Sequence, residues 1–580
     1  MKRREFLAAV AETSEPEGAS PAPSADQATG ISPFANTSLP AVQRTTAGLE
    51  PYTGPWGADQ ILHLLRRTTF GPSHADFELL KTKSMFQAVD LLLTVPAEEV
   101  SAPLSYDARD TAIPLGSTWV NAVYRDPNNT TFDPSGVRRD SLKGWWTSLM
   151  LNQPLSIREK MVLFWHNHFV TEAADIPDPR YSYRYVALLR KNAMGNFKEL
   201  ARQITFDGAM LRYLNGYLNN KTAPDENYAR ELQELFTIGK GPQVGDGDYT
   251  NYTEQDVKAA AKVLTGWRIY QNPDGTVGTQ TSSFDATRHD TGNKNFSYRY
   301  GNVTIIGGID GPREVEDLLN MIFLQPETAK YICRKIYRWF VYYVIDSWTE
   351  VNIIAPLADI LRANNYNILP VLRELLRSSH FFDSVNMSCM IKHPLDLVVG
   401  LCRSFAVPFP ATDVVAQYAM WRYLWSTANT VGMNIGDPPD VAGWKAYYQE
   451  PQYYETWINA DTLTKRTAWT NRMASTGYST SGAKIVIDPL AFVGLISVPS
   501  DPNILIDEAA QFLMGMPITA SQKKFLKEEI LIPGLPDYEW TAEWSLYVAD
   551  PNNATARNAV KTKLQALLTF MMQMPEFQLM

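Results

Sequence analysis

Apolar residues recur at helical spacing along most of this chain, and this periodicity constrains its fold more than any other feature. In the segment 156–169, Ile157, Met161 and Phe164 occupy positions i, i+4 and i+7, which line one face of an α-helix. Comparable stretches, many of them closed by glycine or proline, occupy residues 58–70, 181–191, 196–206, 226–238, 254–264, 326–344, 352–363, 368–378, 412–429 and 555–572. The pattern predicts a mainly α protein, a globular array of many helices.

One segment departs from the helical pattern. Residues 270–308 begin with the turn sequence Asn272-Pro273-Asp274-Gly275 and later contain the β-branched run 303–306 in a partly alternating context. Turn residues next to alternating β-branched residues are typical of hairpins. We therefore expect a small β-hairpin or sheet inserted among the helices. A proline-rich stretch at 407–410 marks a subdivision of the helical region near 405–412.

The length and charge of the chain exclude several kinds of protein. With 580 residues it exceeds what one hydrophobic core usually supports, so more than one subdomain is expected. Its net charge of −9 opposes the counterion release that drives nucleic-acid binding, so no nucleic-acid partner is expected. No uncharged apolar run reaches the roughly 18 residues that indicate a transmembrane segment. Three cysteines are too few for a disulfide framework and are interpreted as buried thiols.

Aromatic residues are abundant, with 15 tryptophans and 28 tyrosines. Exposed aromatic rings can stack against sugars, whereas buried ones fill the space between helices. Helix packing is expected to use most of them.

The amino terminus carries a pattern associated with export. Arg3 and Arg4, followed by Glu5-Phe6-Leu7, resemble a twin-arginine signal, which is read by a receptor and does not anchor the protein. The apolar stretch that follows is shorter than a working signal needs. Residues 1–11 are therefore either a degenerate signal or an ordinary solvated terminus. Residues 12–50 are rich in proline, serine and alanine and are predicted to form a disordered linker before the helical region 51–580.

A first candidate site contains His166 and His168. Two histidines separated by one residue can bind one metal ion in an extended chain. In a helix their rings lie about 200° apart, so they share an ion only if the helix ends or distorts there. The alternative is that His168, which continues the apolar stripe, is a core histidine hydrogen-bonded to a neighbour.

A second candidate site lies on the segment 225–236. Asn227, Glu231 and Glu234 fall at i, i+4 and i+7 and so share a helix face. Paired carboxylates can hold a cation, or act as acid and base if their pKa values differ. The alternative is a solvated helix face on which Glu226 and Arg230 form an i,i+4 ion pair.

Two loop segments are further candidates. His289 and Asp290, within the irregular segment 270–308, fit either a ligand or acid–base pair or an ordinary turn. The sequence 437–444, Asp-Pro-Pro-Asp-Val-Ala-Gly-Trp, is interpreted as a rigid loop that either walls a pocket or forms a structural corner. The sequence lacks the Walker A, dinucleotide-binding, His-Glu-x-x-His, Cys-x-x-Cys-His and Gly-x-Ser-x-Gly signatures.

Several of these segments carry a resemblance to a known family. The blocks at 62–71, 159–169, 227–239, 252–267, 289–294, 438–444 and 575–578 occur in the order found in the bacterial "domain of unknown function 1800" family. The resemblance covers about residues 56–580. It implies a bacterial protein with an export-type amino terminus, hence a periplasmic or extracellular location. The family has no assigned activity, so the resemblance implies no catalytic residues.

Two functions are consistent with these observations. The first is a metal-dependent, hydrolase-like enzyme with its site between helices, in which a divalent metal ion activates water. Its predicted metal ligands are His166, His168, Glu234, His289 and Asp290. Its predicted catalytic residues are Asn227, Arg230 and Glu231. Asn227 and Arg230 would orient an anionic or polar substrate such as a polysaccharide, and either Glu231 or Glu234 would contribute a carboxylate to the cation. The second is a non-enzymatic secreted or cell-envelope scaffold or binding protein, in which the same side chains form a buried polar network between helices.

Overall fold

Helices make up most of the fold in this computed structural model, which describes residues 45–96, 100–450, 452–480 and 482–580. The mainly α prediction is confirmed. The first helices are α1 Ala58–Thr68, α2 His74–Lys81, α3 Met85–Leu92, α4 Ser135–Leu151, α5 Arg158–His168, α6 Pro179–Asn192, α7 Phe197–Thr205, α8 Gly208–Tyr213, α9 Asn227–Glu231 and α10 Glu254–Val263.

The second half continues with helices of similar length. They are α11 Gly311–Leu324, α12 Pro326–Phe340, α13 Ser347–Thr349, α14 Ala355–Ala363, α15 Ile368–Arg377, α16 Pro394–Ser404, α17 Val414–Thr430, α18 Ala460–Ala474, α19 Pro489–Val493, α20 Pro502–Leu513, α21 Ala520–Phe525, α22 Asp537–Ala549 and α23 Ala554–Gln573. Contacts group Thr46–Met580 into one unit. Helix α17 packs against α4 and α16, so contacts cross the subdivision predicted near 405–412.

Short antiparallel hairpins interrupt the helices. The strands are β1 Gln243–Gly245, β2 Asp248–Tyr249, β3 Trp267–Ile269, β4 Ser282–Phe284, β5 Lys294–Asn295, β6 Thr304–Ile305, β7 Tyr478–Thr480 and β8 Ala483–Ile485. Each strand pairs with the next in the chain. The predicted insertion at 270–308 is confirmed as β3–β4 and β5–β6, in which Trp267 pairs with Phe284 and Lys294 with Ile305.

Helix α5 lies at the centre of the core. All of its residues are buried, although the sequence pattern predicted one apolar stripe. Its charged residues are buried because each has a partner: Glu159 contacts Arg190 at 2.9 Å, and Lys160 pairs with Asp396. Pairing of this kind offsets much of the cost of burying a charge.

Several predicted boundaries change in the structure. The helix expected at 226–238 is α9 followed by a π-helical turn, Leu232–Thr237. The helix expected to reach residue 344 ends at Phe340. Cys333 and Cys402 are buried as predicted, but Cys389 is half-buried, and all three are free thiols.

The start of the described chain packs on the helical unit. The carbonyl groups of Gly48 and Glu50 accept hydrogen bonds from the backbone of His380 and Ser379, at 3.0 and 2.8 Å. The predicted signal at 1–11 and linker residues 12–44 lie outside the described residues. In the part of the chain that the structure describes, no helix combines the length and apolarity needed to cross a membrane.

Candidate functional site

His166 and His168 lie near the end of α5 and contact different partners. His166 Nδ1 is 3.1 Å from the Tyr185 hydroxyl, and His168 Nε2 donates to the Phe236 carbonyl at 2.9 Å. Burial lowers the pKa of His166 to about 3 and the pKa of His168 well below its usual value. Both rings are therefore neutral at physiological pH, and His168 has the hydrogen-bonded core position that was one of the two interpretations.

The tautomer of His166 follows from its neighbours. The Tyr185 hydroxyl donates to the Phe169 carbonyl, so it accepts from His166, and Nδ1 carries the ring proton. Nε2 then presents a lone pair that finds no hydrogen-bond partner among the described residues. Trp146 and Trp444 pack edge-on against the ring, at centroid distances of 5.0 and 5.7 Å. The lone pair therefore faces an aromatic environment.

The polar residues of α9 form ion pairs at the protein surface. Arg230 makes two bonds to Glu254, at 2.6 and 2.7 Å, and the predicted pair with Glu226 is present at 3.3 Å. Asn227, at the first turn, is exposed. These contacts join α9 to α10, as a structural ion-pair network does.

The π-helical turn after α9 changes the predicted alignment of the carboxylates. Glu234 lies on this turn and accepts from the Tyr252 hydroxyl at 2.9 Å, with Lys240 at 3.4 Å. Glu231 lies one turn earlier, on α9. A π-turn adds one residue to the turn, so the helical spacing that placed Glu231 and Glu234 on one stripe no longer holds through this segment.

His289 belongs to a fully buried group of charged side chains. Its Nδ1 donates to the Thr265 carbonyl at 2.9 Å, and its Nε2 lies 3.3 Å from Glu314. The other oxygen of Glu314 accepts from Lys294 at 2.5 Å. The three side chains are all 0% exposed. Asp290 is half-buried at the edge of this group, 3.7 Å from Lys294.

The predicted metal ligands thus belong to separate local networks. Among residues 45–96, 100–450, 452–480 and 482–580, no group of three or more histidine, cysteine, aspartate or glutamate side chains is arranged to hold a metal ion. The ligand set His166, His168, Glu234, His289 and Asp290 does not fit one coordination sphere. Binding of a divalent ion stays a prediction.

Two sequence blocks that are far apart in the chain meet at the end of α5. Asn167 Oδ1 accepts from the backbone nitrogen of Trp444 at 2.9 Å, and Ala173 donates to the Gly436 carbonyl at 2.8 Å. Gly443 has a φ of +96°, and a Cβ there would lie 2.4 Å from Asn167 Oδ1. Glycine is therefore required at this position. The loop 437–444 forms a structural corner packed against the end of α5.

Two carboxylates flank this corner. Glu172 accepts from the Tyr213 hydroxyl at 2.8 Å, and Asp437 pairs with Lys143. Burial raises the pKa of Glu172; the hydrogen bond from Tyr213 opposes this shift, and the negative charges of nearby aspartates, including Asp437, add to it. A carboxyl whose pKa is raised in this way can serve as a general acid.

An open groove of about 610 Å³ lies on another face, beside α17 and the β7–β8 hairpin. Its lining residues are Tyr106, Asp107, Ala108, Leu115, Val415, Ala419, Arg422, Tyr423, Ser426, Tyr478 and Thr480. The volume lies within the range of roughly 300–1,000 Å³ typical of ligand sites. The lining mixes aromatic rings with charged and hydroxyl groups.

The aromatic residues of the groove are fixed by stacking. Tyr423 and Tyr478 are parallel, with ring centroids 3.5 Å apart, and the guanidinium of Arg472 lies 5.6 Å from the Tyr478 ring. On the other side, Arg422 lies 4.9 Å from the Tyr106 ring. Cation–π and stacking contacts hold these side chains in one geometry, so the groove is preorganised.

Comparison with known protein families identifies the family of this chain. The family described as "Protein of unknown function (DUF1800)" matches residues 63–579. The chain belongs to this DUF1800 family. Comparison with curated proteins and with solved structures gives no match. The family resemblance inferred from the sequence blocks is confirmed.

In this DUF1800 protein several residues important to the sites were missed by sequence reasoning. Glu314, Lys143 and Glu172 carried no local signal, because their partners lie on other elements. Lys143 and Asp437 are 294 residues apart. The groove tyrosines were counted only as part of the aromatic total. The one available signal was the predicted corner at 437–444.

Proposed function

We propose that this DUF1800 protein is an exported, non-enzymatic binding protein of the cell envelope that holds a polysaccharide in the groove beside α17. The observation that carries the proposal is the preorganised pair Tyr423 and Tyr478 in an open groove that also contains Arg422 and Asp107.

The chemistry of the groove suits a sugar chain. A sugar ring has apolar C–H faces and a rim of hydroxyl groups, and a tyrosine has an apolar ring and a polar hydroxyl. Asp107, Arg422, Ser426 and Thr480 supply acceptors and donors for sugar hydroxyls. Because the groove is open along the surface, it admits a long chain that extends beyond it, as an envelope polysaccharide does.

The polar residues considered as catalytic groups or metal ligands make structural contacts instead, which also supports binding rather than catalysis. Arg230 is committed to Glu254, His289 lies against Glu314, and His168 donates to a backbone carbonyl. Side chains engaged in this way fix the positions of helices. We therefore assign Asn227, Arg230 and Glu231 to the scaffold and not to a catalytic centre.

Affinity electrophoresis of the purified protein through gels containing a panel of bacterial envelope polysaccharides tests this function. The wild-type protein is expected to be retarded by at least one of them. Tyr423→Ala and Tyr478→Ala are expected to lose most of that retardation, since aromatic contacts dominate such interfaces. The matched control is Tyr538→Ala, whose residue is 68% exposed on α22, and it should behave as wild type. Unretarded wild-type protein throughout the panel would reject the proposal.

The export part of the proposal rests on Arg3 and Arg4. A twin-arginine receptor reads both side chains, so replacing both with lysine is expected to leave the protein in the cytoplasm of its host. Cell fractionation followed by immunoblotting measures this. The control is replacement of Lys2 by alanine, which leaves the arginine pair intact. An unchanged distribution of the double-lysine variant would show that the pair is not an export signal.

A second function, metal-dependent hydrolysis, is supported by one observation: His166 Nε2 is buried without a hydrogen-bond partner among the described residues, so its lone pair is free to bind a metal ion. Elemental analysis of protein purified from its host without chelators or affinity metals tests it. Near-stoichiometric metal that is lost in His166→Gln, and retained in a variant of the surface residue His74, would support the enzyme. Metal-free wild-type protein would reject it.

A further inference from the structure

Positively charged side chains are concentrated where α1, α5, α16 and α18 meet. Four of them are buried, with exposures of 0–6%: Arg66, Arg67, Lys160 and Arg466. Lys392 lies beside them, with its amino group 4.0 Å from the centre of the Phe577 ring. Burial lowers the pKa of Lys392 well below its usual value; the charges of Arg66 and Arg466 lower it further, and Asp396 opposes the shift. A bound anion would therefore favour the charged form of the Lys392 amino group.

One carboxylate, Asp396, lies within this cluster. It pairs with Lys160, and its second oxygen lies 3.0 Å from His393 Nε2. His393 Nδ1 accepts from the backbone nitrogen of Asp396 at 3.2 Å, so the ring proton is on Nε2, which donates to the carboxylate. The single negative charge of Asp396 is thus committed to Lys160 and His393.

The remaining cations bond to uncharged groups. Arg66 donates to the Phe512 carbonyl at 2.9 Å, Arg67 to the Asn386 carbonyl at 3.0 Å, and Arg466 to the Lys392 carbonyl at 2.7 Å. In the described part of the chain, two nitrogens of Arg67 and one of Arg466 are buried without a hydrogen-bond partner. Carbonyl groups satisfy hydrogen bonds but do not neutralise charge, so the cluster carries an excess of positive charge.

A small cavity lies against this excess charge. Its volume is about 20 Å³, and Arg66, Lys392 and Asp396 line its polar side. Apolar residues, including Leu397 and Phe577, form the rest of the wall. The amino-terminal end of α16, which starts at Pro394, is next to it and adds the positive end of a helix dipole.

We propose that this cavity is a binding site for a halide-sized monovalent anion, chloride being the abundant one. Unpaired buried cations are strongly destabilising, and an anion between Arg66 and Lys392 compensates them. The volume of the cavity determines which anions fit. One water-sized sphere needs about 10–15 Å³ of such space, so a halide fits and a tetrahedral phosphate or sulfate is excluded. This site is separate from the proposed polysaccharide groove and does not depend on it.

Thermal unfolding of the full chain in chloride, with gluconate replacing chloride at constant ionic strength, tests the site. Since an anion that binds only the folded state stabilises it, the melting temperature is expected to rise with chloride, by about 2 °C at a concentration of about 100 Kd. Bromide should act like chloride. Lys392→Met should lose the dependence. Lys524→Met, whose side chain is 71% exposed, should retain it.

A second measurement covers the case in which Lys392→Met fails to fold. Crystals of the wild-type protein grown in bromide are expected to show an anomalous scattering peak between the Arg66 guanidinium and the Lys392 amino group. Absence of that peak would overturn the proposal. A peak together with a melting temperature that does not depend on halide would show an adventitious ion only, and would overturn it as well.

Discussion

The buried group His289–Glu314–Lys294 gives a quantitative prediction. Glu314 is 0% exposed and accepts from Lys294 at 2.5 Å. It holds the β5 strand and the loop before it against α11. Glu314→Gln keeps the shape of the side chain but removes its charge, so the buried Lys294 ammonium loses its closest counter-charge and keeps only Asp290, at 3.7 Å.

The expected loss of stability can be estimated from the burial of the ion pair and the length of the chain. Removing one partner of a buried ion pair costs about 3–5 kcal/mol. The entropy of unfolding is about 2.1 cal/mol/K per residue, which for the roughly 535 residues of Thr46–Met580 is about 1.1 kcal/mol/K. Glu314→Gln is therefore expected to lower the melting temperature by about 3–5 °C.

Differential scanning calorimetry of the variants measures this loss. A matched control lies on the same helix: Arg313 and Asp317 form a pair whose side chains are 44% and 40% exposed, so Asp317→Asn should shift the melting temperature by less than about 1 °C. The double variant Glu314→Gln, Lys294→Met should lose less stability than the sum of the two single variants, because it no longer contains the Lys294 charge. Equal losses for Glu314→Gln and Asp317→Asn would refute the reasoning.

Three further predictions concern the other sites. Burial lowers the pKa of His166 to about 3 from a value near 6.5 in the unfolded chain. Between these two pH values the unfolded state binds more protons, so the stability of the folded protein falls as the pH falls. His166→Gln should therefore flatten the pH dependence of the melting temperature in this range. Gly443→Ala places a Cβ 2.4 Å from Asn167 Oδ1 at a φ of +96° and should lower the melting temperature by about 1–3 °C; an unchanged melting temperature in calorimetry would contradict the conclusion that glycine is required there. Arg230→Met breaks a pair with Glu254 that is about 30% exposed, so calorimetry should find a shift below about 1 °C, and a larger loss would mean that the pair is more than a surface contact.

The regular parts of the fold could be predicted from the sequence because their signals are local. The periodicity at 156–169 gave α5, and the turn and β-branched residues of 270–308 gave two hairpins. Local hydrogen bonding and side-chain spacing determine such elements.

The π-helical turn Leu232–Thr237 had no such signal. It follows from packing, since Phe236 and Leu232 are fully buried and the Phe236 carbonyl accepts from His168. A helix predicted from its own residues cannot reveal a bond that another helix imposes. The predicted carboxylate stripe relied on regular spacing through this turn.

The partners of the candidate residues depend on tertiary structure. His289 was identified from the sequence, but Glu314 lies on α11, in a segment interpreted only as a helix. The charge of Lys160 was read as part of an amphipathic helix, and it is buried because Asp396, 236 residues later, pairs with it. Residue type and spacing indicate what chemistry is available, whereas the partner decides whether that chemistry is structural or functional.

The groove tyrosines illustrate the same limit. Tyr423 lies on α17 and Tyr478 on β7, and no local pattern indicates that the two rings meet. Their stacking at 3.5 Å follows from the packing of the β7–β8 hairpin against α17. The two tyrosines form one aromatic surface because the β7–β8 hairpin packs beside α17.

The central claim is that this DUF1800 protein binds a polysaccharide without cleaving it. The most direct test incubates the wild-type protein with a retained polysaccharide and measures, in the same sample, the bound fraction and the release of reducing ends. The account predicts saturable binding that is weakened by Tyr423→Ala, with no increase in reducing ends over many hours. Catalytic release of reducing ends that is abolished by Glu172→Gln would contradict it and establish hydrolysis that depends on Glu172, beside the 437–444 loop.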